Sequence, residues 1–127
     1  MRIGRAQDLT TYRMAHQTAM GLFRDSKRWP REERYALTDQ VRRSSRSVCA
    51  NLAEAWRKRR YPKHFVSKLS DADSEAEETV VWSDFARDCA YLDPPTAAAA
   101  KQQCREVAGG LVKMMRNPSQ WCTTPRG

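Results

Sequence analysis

The groups able to carry acid–base or nucleophilic chemistry are few. His16 and His64 are the only histidines, and neither has an evident Cys or Asp partner. The chain contains no H-E-x-x-H, G-x-S-x-G or phosphate-loop pattern, so no metalloprotease, serine-hydrolase or NTPase site is encoded by motif. Glu75 and Glu78 stand three residues apart, as carboxylate ligands on a helix do. A carboxylate metal site in a bundle wants a Glu-x-x-His from each of two helices, and that is absent. Cys49, Cys89, Cys104 and Cys122 are separated by 40, 15 and 18 residues and form no C-x-x-C. They read as reduced thiols, the first three on helices, rather than as zinc ligands. No catalytic residue, metal site or cofactor is expected.

What remains chemically pronounced is charge. The chain of 127 residues carries a net charge of +8, which is compatible with nucleic acid or anionic lipid as a partner. The excess is local: Arg24 to Lys63 holds thirteen cations against five anions, and the rest of the chain balances. Within that segment the run Arg57, Lys58, Arg59, Arg60, followed by Lys63, has almost no acid beside it. Together with Arg116 these residues are the nucleic-acid-binding candidates, with Tyr61 and Trp56 as neighbouring surfaces for stacking bases. A solvated helix end is the alternative reading of the same run.

Helices must position these groups. Ala, Arg, Leu, Glu, Lys and Gln dominate, and there are only five glycines, a composition that favours helix. Prolines and turn residues divide the chain into four helical segments, at about 8–27, 30–60, 63–91 and 95–116. Asp93 is the expected N-cap of the last. The second segment, unbroken, would be roughly 45 Å long. Its inner stripe is Leu37, Val41, Ser44/Ser45, Val48, Leu52 and Ala55/Trp56. On the third, Phe65, Leu69, Ala72, Ala76 and Thr79/Val80 form one inner stripe, and Trp82, Phe85, Cys89 and Leu92 a second. The fourth turns Ala98, Cys104, Val107/Ala108, Leu111 and Met114/Met115 inward. Short connections between long helices imply an all-α, antiparallel up-down-up-down four-helix bundle over residues 1–117, with 118–127 as a mobile tail. The first sixteen residues lack an apolar signal core, and no stretch approaches the 18 apolar residues of a membrane span. A cytoplasmic protein without membrane contact is expected.

Beside the apolar stripe of the second helix runs a polar seam: Gln40, Arg42/Arg43, Ser47, Asn51 and Glu54. A hairpin centred near Tyr61 would set Arg43 against Glu78 and Thr79, Ser47 against Glu75, Asn51 against Asp71, and Glu54 against Lys68. The seam is then an interhelical or intersubunit network; contact with a ligand or nucleic acid is the alternative. The same topology sends Asp84, Asp88 and Asp93 toward Arg24, Lys27, Arg28, Arg31 and Arg34, partly neutralising that end. Arg2, Arg5, Lys113 and Arg116 gather near the other.

The stretch "EERYALTDQVRRSSRSVCANLAEA" resembles the signature of the bacterial four-helix bundle family first noticed as proteins encoded in 23S rRNA intervening sequences. Glu33, Arg34, Tyr35, Leu37, Gln40, Arg42, Arg43, Ser47, Asn51, Ala53 and Glu54 match it. Cys49 and Ala55 depart from it, standing where Pro and Gly are common. The family's acidic position on the third helix corresponds to Glu77 or Glu78. The likeness covers about residues 8–116 and implies a homopentameric ring. A related group, the accessory proteins of diversity-generating retroelements, is pentameric and basic and binds nucleic acid and a reverse transcriptase. The resemblance therefore implies self-association, for which the seam is a candidate surface, with RNA or DNA as partner. A module for an unidentified protein partner, without nucleic acid, is the alternative.

Overall fold

The computed structural model describes residues 3–123 and is built from helices alone among them. After a 3-10 turn, Ala6–Asp8, the long helices are α1 (Thr10–Ser26), α2 (Leu37–Arg57), α3 (Pro62–Asp88) and α4 (Pro94–Arg116). A short helix, α5, spans Pro118–Trp121. No described helix is long and apolar enough to cross a membrane.

Two apolar clusters fill the interior. One joins Leu9, Ala15, Val48, Leu52, Trp56, Phe65, Leu69, Val107, Leu111 and Met114. The other joins Leu22, Trp29, Leu37, Val41, Ala86, Leu92, Ala97 and Ala100. The start of α1 therefore meets the end of α2, the start of α3 and the end of α4, and the opposite ends meet in the second cluster. Hydroxyls occupy the level between them. Thr79 Oγ1 lies 2.9 Å from Ser44 Oγ, and Thr18 donates to Gln103 Oε1 at 2.8 Å. A void of about 10 Å³ lined by Ala15, Thr18, Ser45, Thr79 and Cys104 sits there. Small polar side chains thus let the helices approach at mid-height with their polar atoms partnered.

The second helical segment is shorter than its pattern suggests. Pro30 is extended (φ −56°, ψ 144°), Arg31–Glu33 form a 3-10 turn, and Ala36 (φ −122°, ψ −107°) breaks the path before α2 begins. Twenty-one helical residues span roughly 31 Å, not 45 Å. Glu33 stabilises the break: Oε1 accepts from Leu37 N–H at 3.4 Å and Oε2 from Tyr91 Oη at 2.9 Å. That bond pushes the Tyr91 hydroxyl up to about 12.

α3 also stops early. Cys89 closes it, Ala90 adopts a left-handed φ of 63°, and Tyr91 N–H returns to Ala86 O at 2.8 Å. This is a Schellman-type stop with alanine where glycine is usual, so no sequence signal announced it. Asp93 caps α4 as expected, accepting from Thr96 N–H at 2.8 Å. α1 starts after Leu9 with no side-chain cap.

Residues 118–123, within the segment expected as a tail, include α5 and pack on the end of the core. Trp121 packs edge-on against Trp56 with ring centroids 6.3 Å apart, and Thr123 N–H donates to Arg59 O at 3.1 Å. The large indole supplies burial that a polar tail would lack. Residues 124–127 and Arg2 lie outside the described residues.

Candidate nucleic-acid interface and the seam beside it

The α2–α3 turn presents the cation run. Arg57, Lys58, Arg60 and Lys63 are exposed, and none forms an ion pair among the described residues. Tyr61, 53% exposed, tilts against the exposed His64 ring at 5.7 Å. These two rings, rather than Trp56, are the available stacking surface. Trp56 is buried, its Nε1 donating to Gly4 O at 3.4 Å.

Arg59 differs from its neighbours. Its guanidinium lies 3.8 Å from the Trp56 ring centroid, and Nε donates to Trp56 O at 2.9 Å. Burial holds its pKa below the usual arginine value. Arg59 therefore ties α2 to the C-terminal segment, with Trp56, Arg57, Arg60 and Thr123 lining the hollow around it. Arg116 is exposed in the last turn of α4, at the end of the bundle where Met114 joins Phe65 and Trp56 in the core. Arg5 is drawn aside by Asp8, at 3.5 Å.

The seam divides. Lys68 Nζ bridges Glu54 and Asp71, the latter at 3.6 Å, which keeps the Lys68 pKa above its ordinary value through the Glu54 bond first. Asn51 does not reach Asp71; its Nδ2 donates to Ser47 O one turn back on its own helix, at 2.9 Å. Arg43 is exposed and unpaired among the described residues, so the expected bridge to Glu78 is not formed within the protomer. Glu75 is half-buried, and burial, then the neighbouring Glu78, push its carboxyl above the usual range, with Arg43 pulling weakly the other way. Arg42 does not belong to the seam. It turns toward α1, where its Nε donates to Ser26 Oγ at 2.8 Å.

The second stripe assigned to the interior of α3 is largely outside it. Phe85 is 53% exposed, Cys89 is exposed and Trp82 half-buried, while Ser83 and Ala86 take the inner positions. Val81 is exposed as well. Trp82, Phe85 and Cys89 share a shallow concavity with Ala36, Leu37 and Gln40. Apolar and unpaired charged side chains thus continue one another along the α2/α3 face. Periodicity had assigned the larger residues inward, when small ones were required at that helix crossing. Ala98 on α4 is likewise exposed, with Ala97 and Ala100 buried instead.

The acids expected to neutralise the opposite end are committed elsewhere. Asp84 pairs with Lys101 at 2.6 Å and Arg87 at 3.2 Å, Asp88 with Arg87 at 3.0 Å, and Asp93 caps α4. His16 is exposed and stacked on Tyr12. Burial pushes the Cys49 and Cys104 thiols up to about 11, so both are poor nucleophiles near neutral pH. No group of three metal-ligating side chains converges among the described residues.

None of the curated proteins compared is similar to the chain. A crystal structure of a protein of unknown function from the S23 ribosomal protein family of Bacteroides thetaiotaomicron superposes with a TM-score of 0.74 at 19% identity. The match covers 84% of this chain and 99% of that one. At that identity the likeness speaks for the fold. The family model described as 23S rRNA-intervening sequence protein matches residues 7–113, most of the helical core and the whole of the signature in α2, and the chain belongs to that family.

Proposed function

We propose that this chain is a non-catalytic scaffold of the cytoplasm that assembles with copies of itself and holds the backbone of RNA or DNA at its basic α2–α3 end. The observation that carries the binding half is the set of four exposed cations, Arg57, Lys58, Arg60 and Lys63, without an acidic partner among the described residues and beside the Tyr61/His64 rings. Holding a polynucleotide backbone rests on cations that meet its phosphates and release counterions, and stacking on an aromatic ring adds sequence-tolerant affinity. Arg59 contributes by shaping the turn.

Self-association is supported by the α2/α3 face. Arg43, Glu75 and Glu78 form no ion pair among the described residues, while Val81, Trp82 and Phe85 lie beside them. An apolar patch rimmed by unpaired charges is the usual anatomy of an interface. The up-down-up-down bundle would present this face along its length, and five copies in a ring is the number the family resemblance implies. The competing reading, an interaction module without nucleic acid, draws on the same face and leaves the α2–α3 cations idle.

Fluorescence anisotropy with RNA and DNA oligonucleotides at low salt tests the binding half. Replacing Arg57, Lys58, Arg60 and Lys63 with Gln should abolish most affinity with the oligomer intact. The slope of log K against log salt should fall by about 3 for single strands if all four residues meet phosphates. An unchanged slope would refute it.

A further inference from the structure

The opposite end of the bundle holds a second, differently built basic site. A concavity of about 300 Å³ lies where α1 turns toward α2, lined by Ser26, Lys27, Trp29, Arg31, Arg34 and Arg42, with no carboxylate in its wall. We propose that this pocket binds a phosphate monoester, as carried by a nucleotide or by the terminal phosphate of a polynucleotide. The inference does not rest on the α2–α3 end, which belongs to the other core cluster.

Arg42 is the centre of the site. Ser26 is buried; its hydroxyl donates to Phe23 O at 2.9 Å and so turns a lone pair toward Arg42 Nε, which donates back at 2.8 Å. The guanidinium also rests on the Phe23 ring, 4.9 Å from its centroid. Both contacts fix the planar group and leave its terminal N–H donors free. A guanidinium held in advance loses little freedom on binding and offers the paired donors that fit phosphate oxygens.

The neighbouring charges lack partners. Lys27 Nζ stands 4.8 Å from the same Phe23 ring, and Arg46 lies 5.4 Å from it. None of Lys27, Arg31, Arg34, Arg42 and Arg46 forms an ion pair among the described residues. Of the acids close in sequence, Asp25, Glu32, Glu33 and Asp39, none lines the pocket or forms an ion pair among the described residues, and Glu33 is bonded to Leu37 N–H and Tyr91 Oη. Gathering cations round one ring is unfavourable until an anion enters. Trp29, 8% exposed, forms part of the wall, and its buried indole N–H has no acceptor among the described residues.

Shape and charge select the ligand class. The volume lies at the low end of small-molecule pockets, which run from about 300 to 1,000 Å³, larger than a bare anion requires. A concave hollow with several converging cations suits a dianionic end group better than a diester strand, which carries one charge per phosphate and must run on past the site.

The test is calorimetric titration of the full chain at low salt with 5′-AMP, inorganic phosphate and adenosine, and with one oligonucleotide carrying either a 5′-phosphate or a 5′-hydroxyl. AMP, or the phosphorylated oligonucleotide with Arg57, Lys58, Arg60 and Lys63 all replaced by Gln so that the α2–α3 end does not contribute, should bind saturably at one site per protomer, with adenosine or the hydroxyl form on that same variant weaker by at least about tenfold, the worth of one or more charge-assisted hydrogen bonds. Binding of AMP identifies a free nucleotide as sufficient; binding of the phosphorylated oligonucleotide alone identifies a polynucleotide end; either supports the pocket. Arg42→Gln should weaken binding of AMP by about tenfold or more, while Arg57→Gln/Arg60→Gln leaves AMP binding unchanged. If Arg42→Gln loses its fold, Arg31→Gln/Arg34→Gln, both at exposed positions, gives the same readout. Equal affinity for AMP and adenosine, no saturable binding of any phosphate ligand at ~1 mM, or affinity untouched by Arg31→Gln/Arg34→Gln would overturn the proposal.

Discussion

Thr79→Val should cost the protein more than its size change suggests. Thr79 is fully buried and Ser44 3% exposed, and their hydroxyl oxygens are 2.9 Å apart between the two apolar clusters. Valine keeps the shape and removes the oxygen. Ser44 Oγ is then left with Val41 O at 3.4 Å, a poor bond. A buried hydroxyl deprived of a good partner costs about 1–3 kcal/mol. Ser44→Ala should cost less, because Thr79 Oγ1 still donates to Glu75 O at 2.9 Å. In the double variant neither orphan exists, so its cost should fall below the sum of the singles by about 1 kcal/mol or more. For a chain of 127 residues a loss of 1 kcal/mol corresponds to about 4 °C in Tm. Thr79→Val should therefore melt roughly 4–12 °C lower. Urea and thermal melts of all four proteins at one fixed concentration measure this, since assembly makes Tm depend on concentration. Costs that add to within ~0.3–0.5 kcal/mol would refute the pairing, and with it the α2–α3 register that also brings Glu54 to Lys68.

Other outcomes follow from single sites. Gly109→Ala should stabilise by up to about 1 kcal/mol, because an added Cβ meets nothing within 4 Å. Gly110→Ala should lose that gain, since its Cβ would press into the Thr11 side chain; a pair of urea melts distinguishes them. Glu75 has a raised folded pKa, so its protonation favours the fold: its contribution is present below the ordinary glutamate range and lost as pH rises through the raised value. Glu75→Gln should accordingly raise Tm at pH 7 and show no gain near pH 3, read by melting across pH. Trp121→Ala should remove the edge-to-face contact with Trp56, costing about 1–2 kcal/mol, and should speed amide exchange at Thr123, whose N–H is held by Arg59 O.

The helical class, the turns at Pro30, Pro62 and Pro94, the Asp93 cap and the inner stripe of α2 were legible because each has a local cause: a missing N–H, a capping oxygen, a period of 3.6 residues. Glu54 opposite Lys68 was legible from hairpin symmetry about Tyr61. Arg42 and Arg43 were not separable in this way. They are adjacent in sequence, yet one packs on Ser26 and Phe23 of α1 and the other stands free beside Glu75, a difference set by helix rotation within the bundle. Nor was the end of α3 readable, because Ala90 takes a left-handed turn without glycine. Phe85 and Trp82 misled periodicity because an apolar stripe reads the same in sequence whether it faces the core or lies partly exposed. The phosphate pocket was hidden for a related reason. Its residues come from the end of α1, the turn and the start of α2, and the acids that seemed able to neutralise them pair with Lys101 and Arg87 instead.

The most direct test of the scaffold reading is the mass of the purified protein in solution, by light scattering behind size exclusion, with and without a single-stranded RNA or DNA oligonucleotide at low salt. The expected result is a particle of about five times the 14.6 kDa protomer mass that gains the mass of bound oligonucleotide and releases it as salt rises. A protomer-sized species whose mass is unchanged by either nucleic acid would contradict both halves of the proposal.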